Sequence, residues 1–160
     1  MTTHPVRGAV TASATVLTGL LGGVYYAYAS SVMPGLAKLD DRAFSAAMNH
    51  INVVIVNPVF LLSFLGAPAL NVVAAAISWR RGSRTSAAWI TGAALLNLVG
   101  LGVTAAVNIP LNDQLAAGGD RAGFESAWVA WNIVRALATT GAFAALTVGL
   151  LTARGSKRPA

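Results

Sequence analysis

The chain has no cysteine, and its 160 residues include only two histidines and five acidic side chains. Without cysteine there is no disulfide framework, no thiolate nucleophile and no cysteine-held zinc or iron-sulfur site. Two histidines, one of them (His4) close to the start, and no carboxylate inside any long apolar run leave too few donors for a metal site. Absent too are a glycine-rich phosphate loop, a well-placed Ser-His-Asp set and paired intramembrane carboxylates, which removes nucleotide chemistry, triad hydrolysis and proton pumping. The shortage of charge is equally informative. Charged residues form 10% of the chain and hydrophobic residues 56%, against roughly 25% charged in an average soluble domain. Lipid, not water, is the main solvent of such a sequence.

The charge that is present is net positive, +6, but it lies in the gaps between apolar runs and forms no basic face for nucleic acid. Four segments reach the length of about 20 apolar residues needed to cross a bilayer: residues 8–33, 51–79, 87–109 and 129–152. Every peptide group in lipid must be paired within its own segment, so the fold class is all-α, an integral membrane four-helix bundle in a single domain. Between the spans the charges alternate. Arg80, Arg81 and Arg84 make the second connection basic, Arg154, Lys157 and Arg158 do the same for the tail, and Asp113, Asp120 and Glu125 make the third connection acidic. The positive-inside rule then predicts a multi-pass protein of the cell membrane with both termini cytoplasmic. A competing pattern, Arg7 followed by an apolar stretch and Ala27-Tyr28-Ala29, has the form of a cleaved signal, but the run is long for one.

Residues 36–49 mix Leu36, Leu39, Phe44 and Met48 with charges at near-helical spacing and predict a short interfacial helix after the first span. Pro34-Gly35 is expected to break the first span, Pro58 and Pro68 to kink the second, and Pro110 to end the third. Residues 1–6 and 155–160 read as disordered tails. The Ala-, Gly- and Arg-rich composition points to a GC-rich bacterial genome.

Polar side chains are costly in lipid, so their positions carry information. Arg135 lies about two turns into the fourth span and shares an arc of about 100° with Trp128, Trp131 and Asn132. The start of the second span supplies His50, Asn52 and Asn57, the end of the third Asn108 and Asn112, and the first Tyr25, Tyr26 and Tyr28. Each has a local alternative: Arg135 snorkelling to headgroups, asparagines as interhelical glue, His50 as a satisfied interface residue, aromatics as a belt. All, however, fall at one end of the bundle, the external one, while Asn71 and Asn97 stand alone in the other half. A single pocket near the external face is the economical account. Its residues suit a flat, apolar, weakly acidic molecule: His50 would take the proton and Arg135 would hold the oxyanion. Tyr25, Asn52, Asn57, Asn108, Asn112, Trp128, Trp131 and Asn132 would bind the rest.

The runs Ser31-Val-Met-Pro-Gly-Leu-Ala37, Met48-Asn-His-Ile-Asn52 with Asn57-Pro58, Asn108-Ile-Pro-Leu-Asn112, and Trp128-Val-Ala-Trp-Asn-Ile-Val-Arg135 together resemble the anthrone oxygenase family of small four-helix membrane proteins. The resemblance covers the chain from about Gly19 to Arg135. It implies an oxygenase without cofactor that converts an anthrone to an anthraquinone, with an apolar aromatic molecule and dioxygen as its partners in the membrane. The assignment of His50 as base comes from chemistry and not from the resemblance. The alternative class is a non-enzymatic binding module, or a helper subunit docking a partner through its Trp/Arg face; self-association into a homo-oligomer is left open. A closed pocket lined by His50, Asn108 and Arg135 would favour catalysis, and the same residues on the outer surface would favour a partner.

Overall fold

The computed structural model describes residues 3–81 and 83–155. Among these there is no strand, and four helical stretches are long and apolar enough to cross a membrane: Pro5–Leu36, Pro58–Arg80, Arg84–Ala116 and Arg121–Ala153. The protein is an integral membrane four-helix bundle with a short amphipathic helix after the first span.

Helix α1 (Thr3–Ala27) does not stop before Pro34. It widens into a π-turn over Tyr28–Val32 and continues as α2 (Met33–Leu36), with the Met33 amide donating to the Tyr28 carbonyl five residues back. A proline lacks the amide proton and crowds the carbonyl four residues before it, and one extra residue in the preceding turn relieves both problems. The third span repeats the device. There α5 (Arg84–Val103) opens into a π-turn at Thr104–Asn108 and resumes as α6 (Ile109–Ala116), so Pro110 does not end the span as expected. Each π-turn begins six residues before its proline, at Tyr28 and at Thr104.

The second span corrects the expected boundary. Residues 51–54 belong to α3 (Asp41–Val54), and α4 (Pro58–Arg81) starts only after a break. Asn57 makes that break: its Oδ1 accepts from the amides of Val59 (3.1 Å) and Phe60 (3.0 Å), while its Nδ2 donates to the Val54 carbonyl (3.0 Å). Pro58 therefore occupies the first position of a helix, where no amide is needed, and kinks nothing. Pro68 is carried inside α4 without interruption. Asp40 caps α3 by accepting from the Ala43 amide (2.9 Å), which moves this helix about five residues beyond the expected 36–49. Phe44, Met48, Ile51 and Ile55 form its inward stripe. The expected disordered start is helical from Thr3, and residues 1–2 and 156–160 lie outside the described segments.

After α6 a glycine-based stop reverses the chain. Gly118 has φ +91°, its amide donates to the Leu115 carbonyl and that of Gly119 to the Gln114 carbonyl, the two bonds of a Schellman motif. Helix α7 (Arg121–Gly155) follows. Arg121 fastens its start to the turn before α3, donating to the carbonyls of Leu39 (2.8 Å) and Ala37 (3.1 Å) and pairing with Asp41 and Glu125.

The long helices form a ring in which α1 packs on α4 and α7, and α5 completes it between those two. Small residues allow close approach: a Cβ on Gly149 would stand 2.8 Å from Ile90, and one on Gly19 3.1 Å from Phe143. Asn71 and Asn97, isolated in sequence, meet in the core. Both donate Nδ2 to Thr18 Oγ1 at 3.2 Å, joining α4, α5 and α1. Replacing Thr18 with valine keeps the shape but strands both amides. Thermal unfolding in detergent should show a loss on the order of 1–2 kcal/mol, and an unchanged midpoint would make the node energetically silent.

Candidate functional site

At the end of the bundle carrying α3 and α6, the helices enclose a cavity of about 250 Å³. Both π-turns face it, through Tyr28 and Thr104, and the break between α3 and α4 leaves Val56 at its edge. A π-turn shifts the register of everything beyond it, so the side chains after it no longer follow the face of the helix before it. Most of the wall is apolar, from Val24, Ile55, Phe60, Leu61, Phe64 and Ile109.

Among the described residues Arg135 supplies the only charge in that wall. It is 6% exposed, and no carboxylate pairs with it among the described residues. Its Nη1 donates to Thr104 Oγ1 (3.3 Å) and its Nη2 to Asn132 Oδ1 (2.9 Å), while Nε has no partner. The guanidinium carbon lies 4.5 Å from the Tyr25 ring centre and 5.1 Å from that of Trp128. Neutral hydrogen bonds and two ring faces, the latter worth up to about 2 kcal/mol each, offset only part of a desolvation cost of several kcal/mol for one buried ion. An anion beside the guanidinium would remove much of the remainder. A second unpaired buried donor in the wall, Asn52 Nδ2, suits a ligand oxygen.

Tyr25, Asn52, Asn112, Trp128 and Arg135 all line this cavity. Asn112 also fixes Trp128 by accepting from the indole Nε1 at 2.8 Å, and Tyr28 packs on the same indole with ring centres 5.4 Å apart. Asn132 and Asn108 stand behind the wall. Asn132 is fully buried, donates to the Tyr25 carbonyl (3.0 Å) and orients Arg135; Asn108 donates to the Trp128 carbonyl (3.3 Å). The remaining three lie elsewhere. Trp131 is 41% exposed and looks outward from α7. Asn57 spends its amide on the α3–α4 break.

His50, expected to face Arg135, is exposed on the outer side of α3 with Nδ1 2.7 Å from the Ala46 carbonyl oxygen. Residues two apart on a helix point about 200° from each other, so with Asn52 turned inward His50 must turn outward. It lies in a shallow groove with Tyr28, Ile51, Val54, Ile55 and Asn57. Tyr28 and Ile55 line both spaces and form the wall between them.

Thr104, Phe60 and Phe64 are site residues that sequence reasoning passed over. The signal for Thr104, a proline six residues downstream as at Tyr28, is visible only once π-turns are known to precede both prolines. Phe60 and Phe64 looked like any lipid-facing aromatics, yet they stack with ring centres 5.5 Å apart and form one side of the cavity. Among the described residues no cluster of three His, Asp or Glu side chains is placed to hold a metal ion.

No curated protein and no solved structure matches the chain. A family model described as anthrone oxygenase matches residues 59–145. That segment runs from the start of α4 into α7 and carries Phe60, Thr104, Trp128 and Arg135. Since the match takes in more than half of the 160 residues, the chain belongs to the anthrone oxygenase family.

Proposed function

We propose that the cavity binds the anion of an anthrone-like polycyclic phenol and presents it to dioxygen, making the protein a membrane oxygenase that needs no cofactor for the chemical step. The observation that carries this reading is Arg135, a buried cation with no carboxylate partner among the described residues and an unpaired Nε, set in a wall of aromatic and aliphatic groups. The family membership supports an oxygenase-like activity and suggests an anthrone-like substrate; the roles given to the residues rest on the site's chemistry.

Loss of a proton from the ring methylene leaves a delocalised enolate whose charge rests mainly on oxygen. Arg135 and Asn52 are the donors for that oxygen, and the gain is greatest in the anion, which is the form that reacts. The enolate passes one electron to dioxygen, giving a carbon radical and superoxide. These combine to form a carbon–oxygen bond. The resulting peroxide, once protonated, loses water as the second methylene hydrogen leaves and the O–O bond breaks. One oxygen atom ends in the new carbonyl and the other in water, and the substrate supplies all four electrons.

Among the described residues no imidazole or carboxylate lines the cavity, so the base role expected of His50 is replaced here by electrostatics. The guanidinium lowers the free energy of the bound anion, and the proton passes to solvent water past the half-buried amides of Asn52 and Asn112. Under the positive-inside orientation these amides lie toward the external face. A partner-docking role for the Trp/Arg face loses ground because Arg135 and Trp128 are buried.

The test is anaerobic. A hydroxylated anthrone added to detergent-purified protein without oxygen should develop the absorption of its anion at a pH where the free compound remains neutral, and air should then discharge it to the quinone. A bound anthrone that keeps its neutral spectrum would overturn the proposal.

A further inference from the structure

The cavity is not sealed. Of its lining residues only Val56 and Ile109 are largely exposed, 65% and 45% respectively, and both are apolar. As the exposed members of the lining they mark where the cavity opens, a gap between the break before α4, which holds Val56, and the turn after the second π-turn, which holds Ile109. Phe60, Leu61 and Phe64 continue the α4 side inward, and Thr104 the other. From Pro58 to Phe64 the wall descends about 9 Å along the helix axis, within the span Pro58–Arg80, while Ile109 and Thr104 lie within the span Arg84–Ala116. Apart from Val56, which lies two residues before Pro58, the opening is thus built from stretches long and apolar enough to cross a membrane. The surface on its α4 side is apolar as well, with Val59, Leu62 and Leu65 all exposed. The polar groove holding His50 and Asn57 is separate, behind Tyr28 and Ile55. A mouth meant for water would not be rimmed by valine and isoleucine.

Resting on the proposed function for its ligand, we propose that the substrate comes sideways from the bilayer, between the start of α4 and the second π-turn, with Val56 and Ile109 as its threshold. The physical consequence is a restriction on substrate class. A molecule crossing this threshold must be flat, soluble in lipid and neutral outside the protein, becoming an anion only beside Arg135. Anthrones bearing a permanent charge, such as a sulfonate, are excluded at the threshold although the guanidinium would attract them. Selection thus operates twice, first for apolar partitioning and then for acidity.

The absence of native cysteine makes the test clean. In vesicles, Val56→Cys should react at least tenfold faster with a maleimide dissolved in the lipid than with a charged, water-confined one. Equal or faster reaction with the charged reagent would show a mouth facing water and would overturn the proposal. In the double variant Val56→Cys/Ile109→Cys, a short reducible bis-thiol linker across the gap should lower kcat/KM for a neutral anthrone at least tenfold, with recovery on reduction. Undiminished turnover after verified linkage would overturn the route. A sulfonated anthrone should turn over at least tenfold more slowly than its neutral parent at the wild-type protein, and a rate equal to the parent's would remove the restriction on substrate class. If no anthrone reacts even with wild type, the functional reading fails, whereas the maleimide comparison still decides where the gap opens.

Discussion

Arg135→Ala is expected to lower anthrone-dependent oxygen uptake by about 100-fold or more, the range found when a preorganised oxyanion donor is removed, without loss of fold. Activity and stability should move apart because of how Arg135 is buried. A paired buried charge, when removed, leaves its partner stranded, but Arg135 has only neutral partners, Thr104 and Asn132, and two ring faces. Deleting it relieves the desolvation of an uncompensated ion while losing two hydrogen bonds and leaving space. The thermal midpoint should stay within a few degrees of wild type or rise. Oxygen uptake must be read against buffer, since anthrones also oxidise spontaneously. Uptake by the variant equal to wild type would remove the cation from the mechanism; a collapse in stability together with activity would assign Arg135 a structural role instead.

Asn132→Asp should have an effect of similar size by the opposite route. Asn132 Oδ1 already accepts from Arg135 Nη2 at 2.9 Å, so a carboxylate of the same shape gives the guanidinium an internal counterion. The substrate anion then competes with a charge that is always present, and its gain on binding shrinks. Affinity for the anion and oxygen uptake should both fall about 100-fold. The substitution also turns an oxygen toward the Tyr25 carbonyl, where Nδ2 now donates at 3.0 Å, so the stability gained from the new ion pair is partly cancelled. Asn132→Leu is the informative partner variant. It removes the same hydrogen bonds without adding charge, and it should retain more activity than the aspartate. If both variants are equally impaired, orientation of Arg135 matters and its free charge does not. If the aspartate is fully active, the anion reading fails.

The two substitutions isolate one property, a cation kept without a counterion. Natural interiors rarely hold one, because pairing or neutralisation is cheaper. Here Arg135, with its unpaired Nε, and Asn52, with its unpaired Nδ2, line one cavity, and under the proposed function the arrangement that weakens the resting bundle would strengthen its hold on an anion.

Much of the architecture was legible in the amino-acid order. Span length, the absence of acidic residues from the apolar runs and the amphipathic run near Phe44 and Met48 are local properties, and lipid converts them into structure almost without tertiary context, because each helix must satisfy its own backbone. The polar composition of the site was legible for a related reason: Arg135, Asn52 and Asn112 are polar groups in or beside long apolar runs and therefore conspicuous. Their arrangement was not legible. Whether a side chain two turns from a helix end faces a cavity or lipid depends on rotation. Here rotation is set by the two π-turns ahead of Pro34 and Pro110 and by the Asn57 break, each a compromise between proline geometry and the packing of distant helices. Trp131 turns outward on the uninterrupted α7 although it shares a face with Arg135, and His50 lies in a groove of its own because Asn52, two residues on, lines the cavity. The spans follow from the solvent each segment requires. The site follows from how four helices rotate against one another, a balance of contacts between segments that no single segment contains.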